Sequence, residues 1–507
     1  MSVFVYAESM HIVHIASELA PLAKVGGLAD VVLGLARELS WKGHHVDIIL
    51  PKYDCMDVSR IQDLAVEQQA LMSYYDGGWY ANTVWTGRVE GLRVYFIEPQ
   101  HPRHFFHRGC FYGCDDDIER FLCFSRAAIE FVYKRGPQPD ILHLHDWQTA
   151  AIAPLFHEIY APLGLFSKVV LTIHNMAYQG KCATRDLDRI GLNGSKLDTK
   201  EKLQDNLYAG SINLVKGGIV YSHYVTTVSP SYAKETKTAE GGMGLEETLQ
   251  KYSDKYCGVL NGIDYSFWNP EIDTYLPAHF SSREKPLNAK DRNTLDVKAY
   301  IKNILRDRLS LEDDWRPLVG SVLRLVPQKG LDLLKHTLKY TLEKGGQFVI
   351  LGTSPIPEIN DQFHEIKKQY ADHPHVHLAL HHLEELAHLI YAASDMFIVP
   401  SLFEPCGLTQ MIALKYGAVP IVRKTGGLAD TIFDVDTSLR PLEETNGYSF
   451  DNPDSKSLEC ALDRAFSCWF HEQDRWRKLM IRGMNIDFSW NLPSNQYLEI
   501  YAKIKQS

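Results

Sequence analysis

The sequence is short of the features that mark membrane-bound or exported proteins. No apolar run in it approaches the roughly 18–20 residues that a membrane-spanning helix needs. Residues 1–10 carry no basic segment followed by a long apolar core, which a secretory signal peptide would have. Low-complexity tracts, coiled-coil heptads and short-period repeats are also missing. We therefore expect a globular protein with no membrane partner.

Cysteine and positive charge are scarce as well. The nine cysteines of the 507 residues form no Cys-x-x-Cys pair, which favours a reducing compartment such as the cytoplasm. Acidic residues outnumber basic ones, 63 to 53, and the formal net charge is −10. Proteins that bind nucleic acid present basic surfaces, so we expect no nucleic-acid partner.

One phrase occurs twice in the chain. Lys-Val-Gly-Gly-Leu-Ala-Asp (24–30) and Lys-Thr-Gly-Gly-Leu-Ala-Asp (424–430) each follow an apolar, strand-like run and open a helical pattern. A Gly-Gly loop between a strand and a helix lets backbone N–H groups approach an anion near the helix N-terminus. Tight turns also use glycine for purely steric reasons. One copy would be weak support, but two copies predict a pair of nucleotide-type domains.

Strand and helix patterns alternate through both halves of the chain. This alternation implies parallel sheets, with ligands beyond the carboxyl ends of the strands. We predict two doubly wound α/β domains, residues 1–264 and 265–485, and a C-terminal helix in residues 486–507 that returns to the first domain. The predicted strands are 12–15, 46–50, 94–97, 141–144, 169–173, 224–228, 318–323, 348–351, 376–380, 396–399 and 419–422.

Several charged residues follow predicted strands, where such folds place their sites. Lys24 precedes the first Gly-Gly pair, and Arg324 and Lys329 occupy the first loop of the second domain, where two cations suit a pyrophosphate. Glu404, in Ser401-Leu-Phe-Glu-Pro-Cys-Gly-Leu-Thr409, is placed to accept hydrogen bonds from sugar hydroxyls. The amides of residues 407–409 and the helix dipole then face a phosphate. Solvated surface cations, and a glutamate that only complements the dipole, are the structural alternatives.

Histidines and carboxylates end two strands of the first domain, in His143-Leu-His-Asp-Trp147 and Thr172-Ile-His-Asn175. Together they suit a polyhydroxylated ligand, although a single histidine in such a place is more often structural. The stretch His104-x-x-His107-x-x-Cys110-x-x-x-Cys114 holds zinc-type ligands, but its spacing fits no common structural zinc site. The acidic residues at 115–117 and 434–436 fit a solvated surface better than a metal site. We expect no metal.

These motifs, in this order, resemble those of the starch and glycogen synthase family. Cys-Phe-Tyr-Gly-Cys (110–114), Pro-Lys-Tyr-Asp (51–54) and Val-Arg-Lys-Thr-Gly-Gly-Leu (422–428) are most similar to the plant starch synthase III/IV branch and its bacterial relatives. The family phrases run nearly end to end: Lys-Val-Gly-Gly-Leu (24–28), His-Asp-Trp (145–147), Thr-Ile-His-Asn (172–175), Asn-Gly-Ile-Asp (261–264), Gln-Lys-Gly (328–330), Phe-Glu-Pro-Cys-Gly-Leu-Thr-Gln (403–410) and Lys-Thr-Gly-Gly-Leu (424–428).

The resemblance implies a GT-B fold, with two Rossmann-like domains and an inter-domain cleft. It implies transfer of glucose from a nucleotide sugar, usually ADP-glucose, to the non-reducing end of an α-1,4-glucan such as glycogen, starch or a malto-oligosaccharide. The anomeric configuration is retained, and neither a metal nor another cofactor is required. A bacterial protein would be cytoplasmic, and a mature plant form would lie in the plastid stroma.

The resemblance also implies which residues act on the donor. Lys24 and the amides of Gly26 and Gly27 would contact the donor phosphates and the catalytic centre. Arg324 and Lys329 would stabilise the departing diphosphate, which is electrostatic stabilisation of charge that develops in the transition state.

Other residues would hold the sugars. Glu404 would bind the transferred glucose, His174, Asp146 and Asn261 would orient it, and Tyr112 would border the acceptor. The further substrate-binding positions implied by the matching motifs are Asp30, Trp147, Asn175, Gln328, Ser401, Phe403, Cys406, Gly407, Leu408 and Thr409.

Two positions depart from the family pattern. Leu323 replaces a small polar residue beside the key arginine, and His382 stands where relatives stack a tyrosine on the base. These departures leave UDP-glucose open as the donor and motivate an alternative, a glucan-binding or initiation scaffold with reduced catalysis. The intact cations and Glu404 favour an enzyme. The block at 403–410 argues against sucrose and trehalose-phosphate synthases, and no lysine is identified for the pyridoxal phosphate of a phosphorylase.

Overall fold

The computed structural model describes residues 9–283, 293–381 and 383–506, and the chain divides into two units. The first unit comprises the chain up to Gly262 together with the segment from Trp490, and the second unit is Ile263–Ser489. These divisions lie two residues before and four residues after the expected ends at 264 and 485. The Ile263 amide donates to the Phe488 carbonyl at 2.7 Å, so the two ends of the second unit pair with each other.

The first unit is built on a nine-stranded sheet with the strand order β11-β10-β7-β6-β1-β2-β5-β4-β3. All pairs are parallel except those that β4 makes with β3 and β5. The short strands β8 and β9 form a separate antiparallel pair. In chain order the elements are β1 (His11–Ile15), α1 (Gly27–Trp41), β2 (His45–Pro51), β3 (Gln62–Tyr75), β4 (Gly78–Val89), β5 (Leu92–Pro99), α2 (Asp117–Lys134), β6 (Ile141–His145), α3 (Trp147–Ala150), α4 (Ile152–Leu155), β7 (Lys168–Ile173), β8 (Lys181–Ala183), α5 (Thr184–Arg189), α6 (Gly194–Leu197), β9 (Ser211–Asn213), α7 (Leu214–Tyr221), β10 (Tyr224–Thr227), α8 (Pro230–Glu235), α9 (Ala239–Gly242), α10 (Glu246–Lys251) and β11 (Tyr256–Gly258).

The second unit holds a six-stranded parallel sheet with the order β14-β13-β12-β15-β16-β17. Its elements are α11 (Thr294–Leu309), β12 (Leu318–Val322), α12 (Leu331–Glu343), β13 (Gln347–Leu351), α13 (Pro357–Gln369), β14 (Val376–Ala379), α14 (Glu384–Ala393), β15 (Met396–Val399), α15 (Thr409–Lys415), β16 (Val419–Arg423), α16 (Gly426–Thr431), β17 (Tyr448–Phe450), α17 (Ser455–His471) and α18 (Gln473–Asn485). Among the helices of the described residues, none has the length and apolarity that crossing a membrane requires.

All eleven predicted strands are present, and the α/β prediction is confirmed. The hairpin of β3 and β4 was not predicted. Its pairing register shifts at three places between Gln62 and Leu71, and such bulges break the alternation of apolar and polar residues that reveals a strand. Much of β3 is also exposed, so no apolar run marks it.

The last helix, α19 (Asn491–Lys505), belongs to the first unit and packs on α1. The indole of Trp490 lies where a Cβ on Gly34 would stand, with Nε1 2.0 Å from that position. Glycine at residue 34 is therefore what lets the segment approach α1. Tyr497 and Tyr501 of α19 are fully buried, which anchors the C-terminus in this unit.

A buried lysine joins three elements of the second unit. The Nζ of Lys298 in α11 donates to the carbonyls of Ala392 at 2.7 Å, Tyr416 at 2.8 Å and Ser394 at 3.2 Å. An ammonium has three N–H donors, so this arrangement satisfies all of them. Burial lowers the pKa of Lys298 to about 7. The three carbonyls hold α11 against the ends of α14 and α15.

Each large sheet contains one point where the chain reverses its direction of strand addition. In the first unit this point lies between β1 and β6, and in the second between β12 and β15. Loops that leave neighbouring strands on opposite faces open a crevice there, and ligands of α/β sheets bind beyond the carboxyl ends of these strands. The candidate residues are therefore described around these two switch points.

Candidate functional site

A lysine, a glutamate and a serine meet at the switch point of the second unit. Lys329 follows β12, and Ser401 and Glu404 follow β15. The Nζ of Lys329 lies 2.5 Å from Oε2 of Glu404, and the Ser401 hydroxyl donates to the same oxygen at 2.8 Å. The Glu404 side chain is 7% exposed and that of Lys329 is 18% exposed. The carboxylate is thus fixed by one cation and one hydroxyl.

Backbone contacts lock the two loops that carry these side chains. The Leu402 amide donates to the Gln328 carbonyl at 2.8 Å, and the Gln328 side chain donates to the Phe403 carbonyl at 3.1 Å. Gly330 has a φ of +67°, and a Cβ there would stand 2.1 Å from the Pro400 carbonyl oxygen. Arg324 lies at the start of the same loop and is exposed. Arg324 and Lys329 share one loop but differ in position. Arg324 lies at the surface, and Lys329 contacts Glu404.

The turn after Glu404 leads into α15. Gly407 has a φ of +72°, a conformation that favours glycine. The Gln410 side chain donates to the carbonyls of Cys406 at 3.2 Å and Gly407 at 2.9 Å. These two hydrogen bonds hold the turn in place. Cys406 is buried, and Leu408 and Thr409 are partly exposed where α15 begins.

The second Gly-Gly loop supports this turn. The Gly427 amide donates to the Glu404 carbonyl at 3.0 Å. A Cβ on Gly427 would stand 2.1 Å from the Cys406 carbonyl oxygen. Only glycine allows so close an approach, so the loop at 424–428 is part of the wall that positions Glu404.

The first Gly-Gly loop already holds a carboxylate of its own chain. Oε2 of the buried Glu18 accepts hydrogen bonds from the amides of Val25 at 2.9 Å and Gly26 at 3.0 Å. The Tyr112 hydroxyl donates to Oε1 of Glu18 at 2.9 Å. Burial and the charge of Glu18 raise the pKa of Tyr112 well above its usual value. The residues predicted to bind phosphate and acceptor are thus joined through Glu18.

The lysine of this loop is at its outer edge. Lys24 is exposed, and its Nζ lies 2.9 Å from Oδ1 of Asp30 in the first turn of α1. Gly27, the first residue of α1, is also exposed. The two Gly-Gly phrases therefore differ in surroundings, because Gly427 packs against backbone while Gly27 reaches the surface.

Asp146 directly follows β6 in a strained backbone conformation. Its φ is 59° and its ψ is −174°, a region that residues other than glycine rarely adopt and that costs about 1–3 kcal/mol. Oδ1 of Asp146 accepts from the His174 amide at 2.6 Å. Burial raises the pKa of Asp146 to about 7, against the hydrogen bonds from the amides of His174 and Asn175. Strain held in place at a strand end is typical of a functional position.

Three further candidates of the first unit follow strands of its large sheet: Trp147 follows β6, Asn175 follows β7 and Asn261 follows β11. Trp147 opens α3 and contacts Phe121 edge-on at 5.5 Å between ring centroids. Asn175 follows His174, and its Oδ1 accepts from the Ala177 amide at 3.0 Å. Asn261 is buried, and its Oδ1 has no hydrogen-bond partner within the described ranges. His382, the position predicted to stack on the base, lies outside the described residues.

The structure does not gather the candidate zinc residues into a ligand set. Sγ of Cys110 lies 3.5 Å from Sγ of Cys114, and His107 contacts Glu98. Three other groups in the described part of the chain bring ligand-type atoms within 4.8 Å of one another: His14 with His143 and His145, His11 with His45 and Asp47, and Glu312 with Asp314 and His375.

Sequence reasoning missed three residues of the two sites. Glu18 has a visible signal, because it is a carboxylate three residues after the end of β1 and is followed by Leu-Ala. Gln410 ends the phrase at 403–410, but no role was assigned to it. His14 has no signal, since it lies in an apolar strand and contacts His145, 131 positions away.

Family models match both units. The starch synthase catalytic domain matches residues 11–251, and glycosyl transferases group 1 matches residues 306–479. These matches contain the residues at the two switch points.

Known proteins resemble the chain over nearly its whole length. A glycogen synthase of Protochlamydia amoebophila (strain UWE25) is 65% identical over 98% of this chain and 99% of its own. Probable starch synthase 4 of Arabidopsis thaliana is 49% identical over 98% of this chain, which spans 47% of that protein. The solved catalytic domain of Starch Synthase IV from Arabidopsis thaliana, bound to ADP and acarbose, has a TM-score of 0.94 at 49% identity, and covers 99% of this chain and 100% of its own.

A more distant neighbour supports the fold alone. Sucrose-phosphate synthase from Thermosynechococcus elongatus is 16% identical, with a TM-score of 0.59 over 97% of this chain and 98% of its own. With these neighbours, the predicted GT-B fold is confirmed. The identity of 65% across almost the entire length of both proteins shows that this chain belongs to the starch and glycogen synthase family and is a glycosyltransferase that synthesises glucan.

Proposed function

We propose that the enzyme transfers glucose from ADP-glucose to the non-reducing end of an α-1,4-glucan, with retention of the anomeric configuration. The observation that carries this proposal is the Lys329–Glu404–Ser401 cluster at the switch point of the second unit. Its support from the comparisons is the similarity to a starch synthase solved with ADP and acarbose.

The second unit binds the nucleotide sugar. Lys329 has three N–H donors, so it can hold Glu404 and a phosphate oxygen together. Arg324 adds a guanidinium from the exposed start of the loop, and the amides of residues 407–409 contact a phosphate. Glu404, fixed by Lys329 and Ser401, accepts hydrogen bonds from the hydroxyls of the transferred glucose.

The first unit contributes residues that contact the sugars, and its loop at residues 24–28 contacts the donor. His174, Asp146 and Asn261 orient the transferred glucose, and Asn175 contributes to binding the substrate. Tyr112 and Trp147 border the acceptor chain with aromatic surface. Lys24, with the Gly26 and Gly27 amides, contacts the donor, which requires Glu18 to share or release the Gly26 amide.

In the reaction, the bond between the anomeric carbon and the diphosphate breaks with its electron pair on the diphosphate oxygen. The acceptor 4-hydroxyl forms the new bond on the same face, and its proton passes to the departing diphosphate. Cations placed where this negative charge develops stabilise the transition state rather than the ground state. Lys329 and Arg324 have this role.

We propose that no metal or other cofactor is needed, because the two cations supply the charge complement for the diphosphate. The test is activity after dialysis against a chelator and in its continued presence. We expect the rate to be unchanged. A loss restored by a divalent cation would contradict the proposal.

The main experiment measures release of nucleoside diphosphate from ADP-glucose and from UDP-glucose, each with glycogen as acceptor. We expect faster release from ADP-glucose, and loss of release from either donor in Glu404→Ala. Equal or faster use of UDP-glucose would overturn the donor assignment. No release from either donor, with glycogen binding intact, would overturn the transferase and favour the scaffold alternative.

A second measurement tests the stereochemistry. The product made on a malto-oligosaccharide is examined by proton NMR for the configuration of the new anomeric centre and by digestion with an α-1,4-specific amylase. We expect an α linkage and complete digestion. A β signal would show inversion.

A further inference from the structure

Three buried imidazoles form a hydrogen-bonded row at the switch point of the first unit. His14 lies in β1, His145 ends β6, and His174 follows β7. Nδ1 of His14 lies 3.0 Å from Nε2 of His145, and Nδ1 of His145 lies 3.0 Å from Nε2 of His174. We call these three residues the histidine row. His14 and His145 have no exposed surface, while His174 keeps 9%, so His174 is the outer end.

Every member of the histidine row is neutral near pH 7. Burial lowers the pKa of His14 and of His174 to about 3, and that of His145 well below its usual value. A neutral imidazole has one N–H donor and one bare nitrogen acceptor. Each contact in the row therefore joins a donor to an acceptor, and all three ring protons must point in the same direction along the row.

The inner end of the row decides that direction. Nε2 of His14 is buried without a hydrogen-bond partner among residues 9–283, 293–381 and 383–506. If the protons pointed inward, this atom would be an N–H donor with no acceptor, which proteins avoid more strictly than an unpaired acceptor. If they point outward, it is a bare lone pair. The outward direction places the proton on Nδ1 of each ring, including that of His174.

A fourth histidine, His143, packs against the side of the histidine row. Nδ1 of His143 lies 2.7 Å from the Tyr501 hydroxyl, and Nε2 lies 2.6 Å from the Thr172 hydroxyl. Its ring stacks on that of His145, with centroids 4.4 Å apart. Both nitrogens of His143 and both of His145 are occupied by these bonds, so a metal ion at this cluster would have to displace them. The cluster is built for hydrogen bonding.

We propose that His14 and His145 are positioning residues that fix His174 as a neutral imidazole with its proton on Nδ1, ready to donate a hydrogen bond to an oxygen of the bound sugar. The contact with sugar rests on the proposed function, whereas the tautomer does not. His14 and His145 thus decide which nitrogen of His174 is the hydrogen-bond donor, although neither contacts the sugar.

The direct test is the tautomer of His174 in the intact protein. Two-bond proton–nitrogen NMR spectra of protein labelled with ¹⁵N-histidine distinguish a protonated ring nitrogen from a bare one, and a His174→Asn variant identifies the signals. We expect a proton on Nδ1 alone between pH 6 and 8. A proton on Nε2, a mixture of tautomers, or an imidazolium would overturn the proposal, whatever the activity of the enzyme.

A matched pair of variants tests the positioning role. Asparagine at residue 145 keeps an N–H donor at the place of Nδ1, whereas leucine removes it. We expect His145→Asn to keep the Nδ1 proton of His174 and activity within about twofold. We expect His145→Leu to give mixed tautomers of His174. Its kcat should fall about fivefold, because fewer molecules then carry the proton on Nδ1. Thermal unfolding of both variants accompanies the assay. Equal losses of kcat that follow the unfolding temperature would show a merely structural role.

Discussion

Replacing Lys329 by methionine separates the two roles that the structure gives to this side chain. Methionine keeps most of the apolar stem and removes the ammonium that lies 2.5 Å from Oε2 of Glu404. One expected effect is on stability, because Glu404 loses its cation. The other is on catalysis, because the diphosphate loses a cation in the transition state.

The effect on stability follows from burial. Removing one partner of a buried ion pair costs about 3–5 kcal/mol. The Lys329 side chain is 18% exposed, and partial access of water to the pair reduces this cost to about 2–3 kcal/mol. For a unit of this size each kcal/mol lowers the unfolding temperature by about 2–4 °C, so the fall is about 4–12 °C. Glu404→Gln removes the uncompensated charge, and the double variant should regain most of this loss.

The effect on catalysis should not be regained. Losing one preorganised charge at a developing anion costs about 10²–10³ in kcat. We expect this loss in Lys329→Met relative to the parent, and again in the double variant relative to Glu404→Gln alone. The assays are calorimetric unfolding and release of ADP from ADP-glucose with glycogen. Lys335→Met is the control, since the Lys335 side chain pairs with the exposed Asp332 and makes one long contact, 3.4 Å, with Gln362, and its loss should change stability by less than about 0.5 kcal/mol.

Two results would refute this reasoning. Activity of Lys329→Met within about threefold of the parent would show that the ammonium does not stabilise the leaving group. Activity of the double variant equal to that of Glu404→Gln alone would show that Lys329 acts only by neutralising Glu404.

Three further perturbations follow from the second unit. Lys298→Met leaves three buried carbonyls without their donor and should lower the free energy of unfolding by about 3–5 kcal/mol in urea titrations; a change below about 1 kcal/mol would contradict the carbonyl contacts. Gly427→Ala places a Cβ 2.1 Å from a carbonyl oxygen of the turn that holds Glu404. It should cost about 1–3 kcal/mol and reduce kcat, and unchanged thermal unfolding and activity would show that the loop does not support the turn. Burial lowers the pKa of His388, but the hydrogen bond to Asp273 and the nearby carboxylates raise it above its usual 6.5 overall. The stability from this pair is therefore fully present below pH 6.5 and is lost as the pH rises through the folded pKa. Urea unfolding from pH 5 to 9 should show that loss in the parent and not in His388→Gln, and identical slopes would exclude the pair as its source.

Much of the fold and the outline of the site were accessible from the sequence. Strand and helix periodicities, the two Gly-Gly phrases and the block at 403–410 are local patterns, so they could be placed at strand ends without coordinates. Parallel sheets bring such ends to one edge, and Lys329 and Glu404 were both expected after strands of the second domain. The individual roles of the site residues stay predictions.

The tertiary structure decided what depends on contacts between distant residues. The β3–β4 hairpin is hidden by bulges, and Glu18 binds the Gly26 amide only because the chain turns back on itself between Leu19 and Ala23. His14 and His145 are separated by 131 positions, and no local pattern shows that their nitrogens meet. The sequence by itself determined the architecture and the family, because both follow from short-range periodicity and specific motifs. Packing across the sheets decided which side chains contact, orient and neutralise one another.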